Sequence, residues 1–420
     1  MLNFYSLHNP FFLMCIPVVA CLLILVTYLL RWRHYRLLHK YAQWQHEAQE
    51  IEVATHIALY NQKKNDQPIY PKVSIVIPSR DQADQLKMLL PKLLEQEYKG
   101  NFEVIVVDEK SSDETSLVIK QFSNSYKNLR QTYVPATSRH IELRKLAITL
   151  GIKASFSEWV IILNPDTIPD SKSWLQHYAE NLQPGVDFIR AYYNYEHNGT
   201  ATSRCAIIER LRQFAMDLAA YEKGLVLNCE TANYAVRKNW FIEQQGFADS
   251  LTLPFGEEKI FACYHATTER TTMLCSPDTC VTELMPTKRN LYETRMYASE
   301  TKKHLKGITK RYTVHDSIAT ISLYLCTFIA IAYILLRVIY DIDASHYSQQ
   351  YIYTDIFCLF IWLCLLILPT WMLRIGAKAV NQKPFGIYIY LHEMLQPWRN
   401  ISIMWMRYIH KSEFKRNFIN

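Results

Sequence analysis

From residue 73 onward, short β-branched apolar runs alternate with longer stretches in which apolar residues recur every three or four positions. Val73-Ser-Ile-Val-Ile77, Phe102-Glu-Val-Ile-Val-Val107, a short run near Thr132–Val134 and Trp159-Val-Ile-Ile-Leu163 read as strands. Between them the spacing predicts helices over about 84–97 and 140–155, and one that Asp113 can cap. Strands alternating with helices imply parallel βαβ units with right-handed crossovers. Past Pro184 the order changes: a strand over Phe188–Tyr193, a helix over Ser203–Tyr221 with Ile207, Leu211, Phe214 and Leu218 inward, then a strand over Asn233–Val236. A helix over Lys238–Gln245 ends at Gly246, and Pro254-Phe-Gly-Glu257-Glu258 opens another that runs to about Thr267.

A different pattern brackets this region. Phe11–Leu30 is an uncharged run long enough to cross a bilayer, and Ser317–Ile339 and Ile356–Leu373 form a second and third. Arg31, Arg33, Arg36 and Lys40 follow the first run, while Lys302, Lys303, Lys306, Lys310 and Arg311 precede the later pair. The positive-inside rule then places everything between them in the cytoplasm. Ile387–Ile409 is aromatic but carries His392, Glu393, Pro397 and Arg399, so it is expected to lie along a membrane surface. The expected organisation is an anchor over 1–30, a juxtamembrane helix and linker over 31–70 and a catalytic domain over 71–300. A basic segment over 301–316, transmembrane helices over 317–339 and 356–373, and an interfacial tail over 374–420 complete it.

Composition narrows the partners. Half the residues are hydrophobic, only 10 are Gly, and no low-complexity run occurs, which excludes a disordered or fibrous chain. The formal charge is +7, with basic residues gathered beside apolar segments, so membrane lipids are the expected partner and nucleic acid is not. The ten Cys are scattered without a Cys-x-x-Cys pair, as expected of reduced thiols.

The candidate chemistry lies at strand ends. Ser79, Asp108 and Asp166 each fall at the carboxyl end of an expected parallel strand, where open α/β sheets bind ligands. No Gly-x-Gly-x-x-Gly and no Walker loop follows the opening strands, which disfavours a nicotinamide dehydrogenase or a P-loop ATPase. Acidic strand ends suit a nucleotide bonded edge-on to Asp108, with Mg²⁺ or Mn²⁺ at Asp166 carrying the diphosphate charge. Blander roles stand beside these. Asp166 can cap the turn before Trp174, Asp108 can cap its own loop, and Glu257 and Glu258 can be an acidic first turn. Lys145 can be a solvated helix residue, and Tyr192, Tyr193 and Tyr195 can stack a sugar or simply line a sheet.

Several motifs stand in a familiar order. Val73-Ser-Ile-Val-Ile-Pro78, Glu103-Val-Ile-Val-Val-Asp108 with Ser111-Ser112-Asp113, and Arg144-Lys145-Leu-Ala147 with Gly151-Ile152 resemble the opening of the family 2 glycosyltransferases. Leu163-Asn-Pro-Asp-Thr167 sits where that family carries Asp-x-Asp, Ala232-Asn233-Tyr-Ala-Val-Arg237 resembles its acceptor-side segment, and Gly256-Glu257-Glu258 sits at its Gly-Glu-Asp. The resemblance covers about residues 73–300 and implies an α/β GT-A fold: a doubly wound, mostly parallel sheet, here joined to three transmembrane helices, one N-terminal and two C-terminal. It further implies an inverting transferase that moves a sugar from a nucleotide-diphosphate donor to a lipid-linked or membrane-proximal glycan acceptor, at a bacterial plasma membrane with the catalytic domain cytoplasmic.

The site residues the resemblance implies are Pro78, Ser79, Asp108, Lys145 and Asp166 toward the donor and Asn233 toward the acceptor. Glu258 would be the general base with Glu257 beside it, and Asp166 with Asn164 would face the metal. Asn164 replaces the first Asp of Asp-x-Asp, and Glu258 replaces an Asp. The Gln-x-x-Arg-Trp of processive members is missing, its region reading Tyr292-Glu-Thr-Arg-Met-Tyr297, so a non-processive enzyme is expected. The alternative is a catalytically weakened relative with a binding or regulatory role.

Overall fold

The computed structural model describes residues 70–135, 143–226, 232–309, 373–382 and 386–409, together with 36–43 and isolated residues of the flanking segments. The elements are β1 (Val73–Ser79), α1 (Ala83–Leu94), β2 (Phe102–Asp108), α2 (Thr115–Ser125), β3 (Leu129–Tyr133), α3 (Leu143–Ala154), β4 (Trp159–Ile162) and β5 (Thr167–Pro169). There follow α4 (Trp174–Ala179), β6 (Phe188–Ala191), β7 (Tyr193–Tyr195), α5 (Ala201–Tyr221), β8 (Tyr234–Arg237) and α6 (Lys238–Glu243). The last are α7 (Glu257–His265), β9 (Thr271–Leu274), β10 (Val281–Glu283), α8 (Lys288–Thr301) and α9 (Ile387–Ile409).

A seven-stranded sheet runs in the order β3-β2-β1-β4-β8-β6-β9. β1, β2, β3 and β4 are mutually parallel; β1, β2 and β4 are buried on both faces as their Val/Ile runs require, whereas β3 is the edge strand and leaves Arg130 and Tyr133 exposed. Their side chains divide by the strand period of two. Val73, Ile75, Ile77, Val104, Val106 and Ile161 pack under α1, α2 and α4, whereas Val76, Ile105, Val107, Val160 and Ile162 face α3, α6 and α7. Gly151 lets α3 approach the sheet, since a Cβ there would stand 2.3 Å from Val76 Cγ1. Asp113 caps two helices at once, accepting from Thr115 N of α2 (2.9 Å) and Ala83 N of α1 (3.1 Å).

The sheet is mixed: four of its pairings are parallel, but β8 runs antiparallel to both of its neighbours, β4 and β6. The expected strand over Phe188–Tyr193 also splits at Tyr192, and β7 leaves the main sheet for a small second one, β5-β10-β7. The architecture with three transmembrane helices is overturned as well: no helix among the described residues is long and apolar enough to cross a membrane. The two longest are charged, α5 through Arg204, Glu209, Arg210, Arg212 and Asp217, and α9 through Glu393, Arg399 and Arg407. The segments expected to span, 11–30, 317–339 and 356–373, lie almost wholly outside the described residues.

The helical stretch at 36–43 packs Leu38 and Ala42 on α5, in a cluster that includes Leu373, Ala377 and Ile389. Trp32 stacks on Trp371 with centroids 5.0 Å apart. α9 lies against α5 and α8, with Arg204 over the Tyr388 ring at 4.1 Å and Tyr292 Oη donating to Ser402 O at 3.2 Å. Its other side is an exposed apolar stripe of Leu391, Leu395, Trp398, Trp405 and Tyr408.

Candidate active site

Three separated stretches converge on one guanidinium. Arg144, in the first turn of α3, donates to Asn164 Oδ1 at 2.8 Å. It also pairs with Glu257 Oε1 at 3.5 Å and with Glu258 Oε1 at 3.3 Å. Local backbone geometry delivers the two glutamates. Gly256 adopts φ +75°, a left-handed turn that aims the chain into α7, so both carboxylates fall in the helix's first turn and are buried. The positive end of the α7 dipole favours them there. Burial, and next the charge of Glu257, push Glu258 up to about 7, with Arg144 pulling the other way.

Asp166 also lies within the field of Arg144. It follows β4 and precedes β5, and burial raises its carboxyl above the usual range against the pull of Arg144 and then Arg210. Its Oδ1 is buried with no hydrogen-bond partner. Arg210 of α5 is held on the far side by the Tyr193 and Tyr195 hydroxyls, the latter at 2.5 Å, and stands 3.8 Å from Glu283 Oε2. Glu283 ends β10, and burial followed by the Asp166 charge push it up to about 8.

The remaining expected residues have more structural settings. Asp108 is buried with both oxygens engaged, Oδ1 accepting from Ser111 N (2.9 Å) and Oδ2 from Ser116 Oγ (2.7 Å). Pro78 and Ser79 close β1 beside it, and the buried Ser79 Oγ has no partner. Glu109 N donates to Ser79 O (2.9 Å), and the Glu109 carboxylate acts on Arg144, which ties this rim to the same site. Lys145 is not solvated; its ammonium donates to Ser250 O (2.5 Å) and to Leu253 O, fixing the loop that leads into Gly256. Asn233 is buried at φ +57°, its Nδ2 donating to Tyr192 O (2.8 Å) and Thr279 O (3.0 Å) and its Oδ1 unpartnered. The tyrosines are not open platforms, since Tyr192, Tyr193 and Tyr195 are all buried.

Arg144, Arg210 and Glu283 received no role from the sequence. A signal existed for Arg210, a charge on the inward stripe of α5 between Ile207 and Leu211. Glu283 gave none, because the small sheet that carries it was not foreseen.

With this geometry in view, residues 74–243 match the family described as "Glycosyl transferase family 2". That segment is a family 2 glycosyltransferase domain. The chain is 30% identical over 138 residues to the glycosyltransferase AglE of Haloferax volcanii, covering 32% of this chain and 44% of that protein. Over 122 residues it is 29% identical to the uncharacterized glycosyltransferase sll0501 of Synechocystis, covering 29% of this chain and 37% of the other. The matches thus span less than half the length of these curated relatives. The mannosyltransferase PcManGT of Pyrobaculum calidifontis, solved in complex with GDP-Man and Mn²⁺, shares the fold at a TM-score of 0.52. It is 15% identical, over 92% of this chain and 99% of that one. The matched segment supplies Asp108, Arg144 and Asp166, while Glu257, Glu258 and Glu283 come from beyond its end.

Among the described residues no group of three or more His, Cys, Asp or Glu side chains is placed to hold a metal ion, so a divalent cation here would take fewer protein ligands. Asp166 has an orphaned buried oxygen, and the carboxyl groups gathered around Arg144 and Arg210, those of Asp166, Glu257, Glu258 and Glu283, outnumber the two guanidinium groups, so their full ionisation would leave negative charge in excess. Such an excess in a desolvated pocket is costly without a counter-charge.

Proposed function

We propose that the chain transfers a sugar from a nucleotide-diphosphate donor to an acceptor hydroxyl with inversion. The observation that carries this reading is the buried Glu258 carboxylate, clamped by Arg144 on the same guanidinium that holds Asn164. In the proposed reaction Glu258 accepts the proton of the acceptor hydroxyl as oxygen attacks the anomeric carbon. A carboxyl near pH 7 suits that task. Arg144 orients Glu258, and Glu257 keeps it basic. Lys145 anchors the loop that sets the first turn of α7. Ser79, Pro78 and Asp108 line the donor side, and Asn233 fixes the acceptor-side strand end. A divalent ion, Mg²⁺ or Mn²⁺, held at Asp166 would neutralise the departing diphosphate.

The acceptor we infer is a lipid-linked or membrane-proximal glycan, with transfer non-processive. What supports this is α5, which joins the site to α9. Arg210 faces Glu283, while the adjacent Glu209 pairs with Arg295 of α8 and feels His392 and Arg399 of α9. The exposed stripe of α9 suits a lipid surface. The test is donor hydrolysis and transfer by purified protein with Mn²⁺, screened across nucleotide sugars, with Asp166→Ala alongside. Transfer abolished by Asp166→Ala is expected; no donor binding in calorimetry would end the enzyme reading in favour of a binding subunit. For the lipid surface, flotation with anionic vesicles should weaken in Trp398→Ser/Trp405→Ser, and unchanged flotation would remove that support.

A further inference from the structure

We propose that Glu283 is the second carboxylate of the divalent-cation site, partnering Asp166 in the place that Asn164 leaves unfilled. This rests on the sugar-transfer reading above and concerns how the chain holds the ion. In the Asp-x-Asp pattern two acidic residues on one loop face the metal; here the first is an amide, and its oxygen already accepts from Arg144 at 2.8 Å. The loop alone therefore offers a single carboxylate, too little charge for a hard cation that takes oxygen ligands.

The small second sheet brings another. β10 pairs antiparallel with β5 so that Glu283 stands opposite Thr167, and Leu284 N donates to Asp166 O at 2.8 Å. That register holds the backbones of residues 283 and 166 together at one end of the small sheet. Glu283 is also incompletely neutralised. Its guanidinium neighbour Arg210 lies 3.8 Å away, too far for a hydrogen bond, and is turned toward the Tyr193 and Tyr195 hydroxyls. On the Asp166 side, Oδ1 is buried and unpartnered. Two carboxylates in one desolvated corner, each short of a positive partner, match an ion with two charges. Asp166, Glu283 and the donor diphosphate would supply the oxygen ligands of the ion, with no ligand asked of Arg144 or Arg210.

The experiment measures Mn²⁺ binding to the full chain by electron paramagnetic resonance and calorimetry, with and without a nucleoside diphosphate. Glu283→Gln keeps the shape of the side chain and is expected to weaken Mn²⁺ at least about tenfold. Asn164→Asp/Glu283→Gln returns a carboxylate to the loop and should recover part of that loss. Circular dichroism and melting on every variant identify a misfolded protein, and the recovery arm tests the assignment even if Glu283→Gln is less stable. Mn²⁺ affinity within about twofold of the parent in a folded Glu283→Gln would overturn the proposal. Donor transfer by the parent is scored separately: a parent that transfers sugar while Glu283→Gln binds Mn²⁺ normally refutes Glu283 and leaves the transferase standing. A parent that binds Mn²⁺ through Glu283 but transfers from no donor refutes the transferase and keeps the ion site.

Discussion

The sheet half built from β1 to β4 and the half that begins at Asp166 both present buried acids, under opposite conditions. In the first, the buried acids Asp108 and Glu103 are satisfied, Asp108 accepting from Ser111 N and Ser116 Oγ and Glu103 from Ser74 Oγ and Arg130, while the exposed Asp113 caps two helices. In the second, Glu257, Glu258, Asp166 and Glu283 crowd around two guanidinium groups, and Asp166 and Glu283 lack short partners. Satisfied acids hold a scaffold together. Acids buried short of counter-charge are poised to take up a proton or a cation, which is the work of a reaction site. The first half should therefore respond to mutation mainly in stability, and the second mainly in rate.

The sharpest way to break this contrast is Glu258→Gln. Loss of a general base should lower kcat by about 10²–10⁴ in steady-state transfer assays. Stability should move the other way. The folded-state value of Glu258, about 7, lies above its ordinary 4.5, so the native state holds the extra proton between those values. Stability then falls as pH rises across that window and stays low above it. At pH 8 the Gln variant should be more stable than the parent by on the order of 1 kcal/mol in denaturant melts, Arg144 keeping Glu257 as its partner. A variant that is both less stable and fully active would reverse the roles of the two halves.

The same carboxyl sets a pH profile. With donor and Mn²⁺ saturating, transfer should fall about tenfold per pH unit below about 7 and level off above it. The profile should vanish in Glu258→Gln, whose residual rate has no such base to protonate. A limb that persists in the variant belongs to another group.

Legibility followed the same division. β1, β2 and β4 are Val/Ile runs between turn residues, and period and cap signals located them within a residue or two, whereas β3, Leu-Arg-Gln-Thr-Tyr, begins three residues before the expected run; Gly151 and Asp113 carry out roles their types announce. The second half resisted because its elements are short and its pairings distant. β7 and β10 have three residues each and are joined only through the fold, so neither Glu283 nor its relation to Asp166 could be read locally. Lys145 resembled a surface residue because the carbonyls it binds lie more than a hundred positions away. Glu257 and Glu258 were visible through Gly256, whose positive φ the turn requires.

In the first half, Gly151→Ala probes the scaffold. Its Cβ would meet Val76 Cγ1 at 2.3 Å across the α3–β1 contact, with no flexible chain end to yield. A loss of about 1–3 kcal/mol is expected in urea melts, with kcat per folded molecule unchanged. A large fall in kcat at intact stability would mean that α3 transmits strain to Arg144, and the two halves would not be separable.

The smallest effect is expected at Asp108, where scaffold and donor side meet. Asp108→Asn keeps an oxygen for Ser111 N and replaces the acceptor of Ser116 Oγ with an amide that can only donate, so the loss should stay near 1 kcal/mol. Because Asp108 fixes the loop over 109–116 beside the unpartnered Ser79 hydroxyl, that loop should loosen, raising the donor KM a few-fold while kcat holds. A fall in kcat approaching that of Glu258→Gln would move Asp108 from the satisfied scaffold into the reacting group. A KM that does not change would leave it a cap alone, and the donor side would then rest on Ser79 and Pro78.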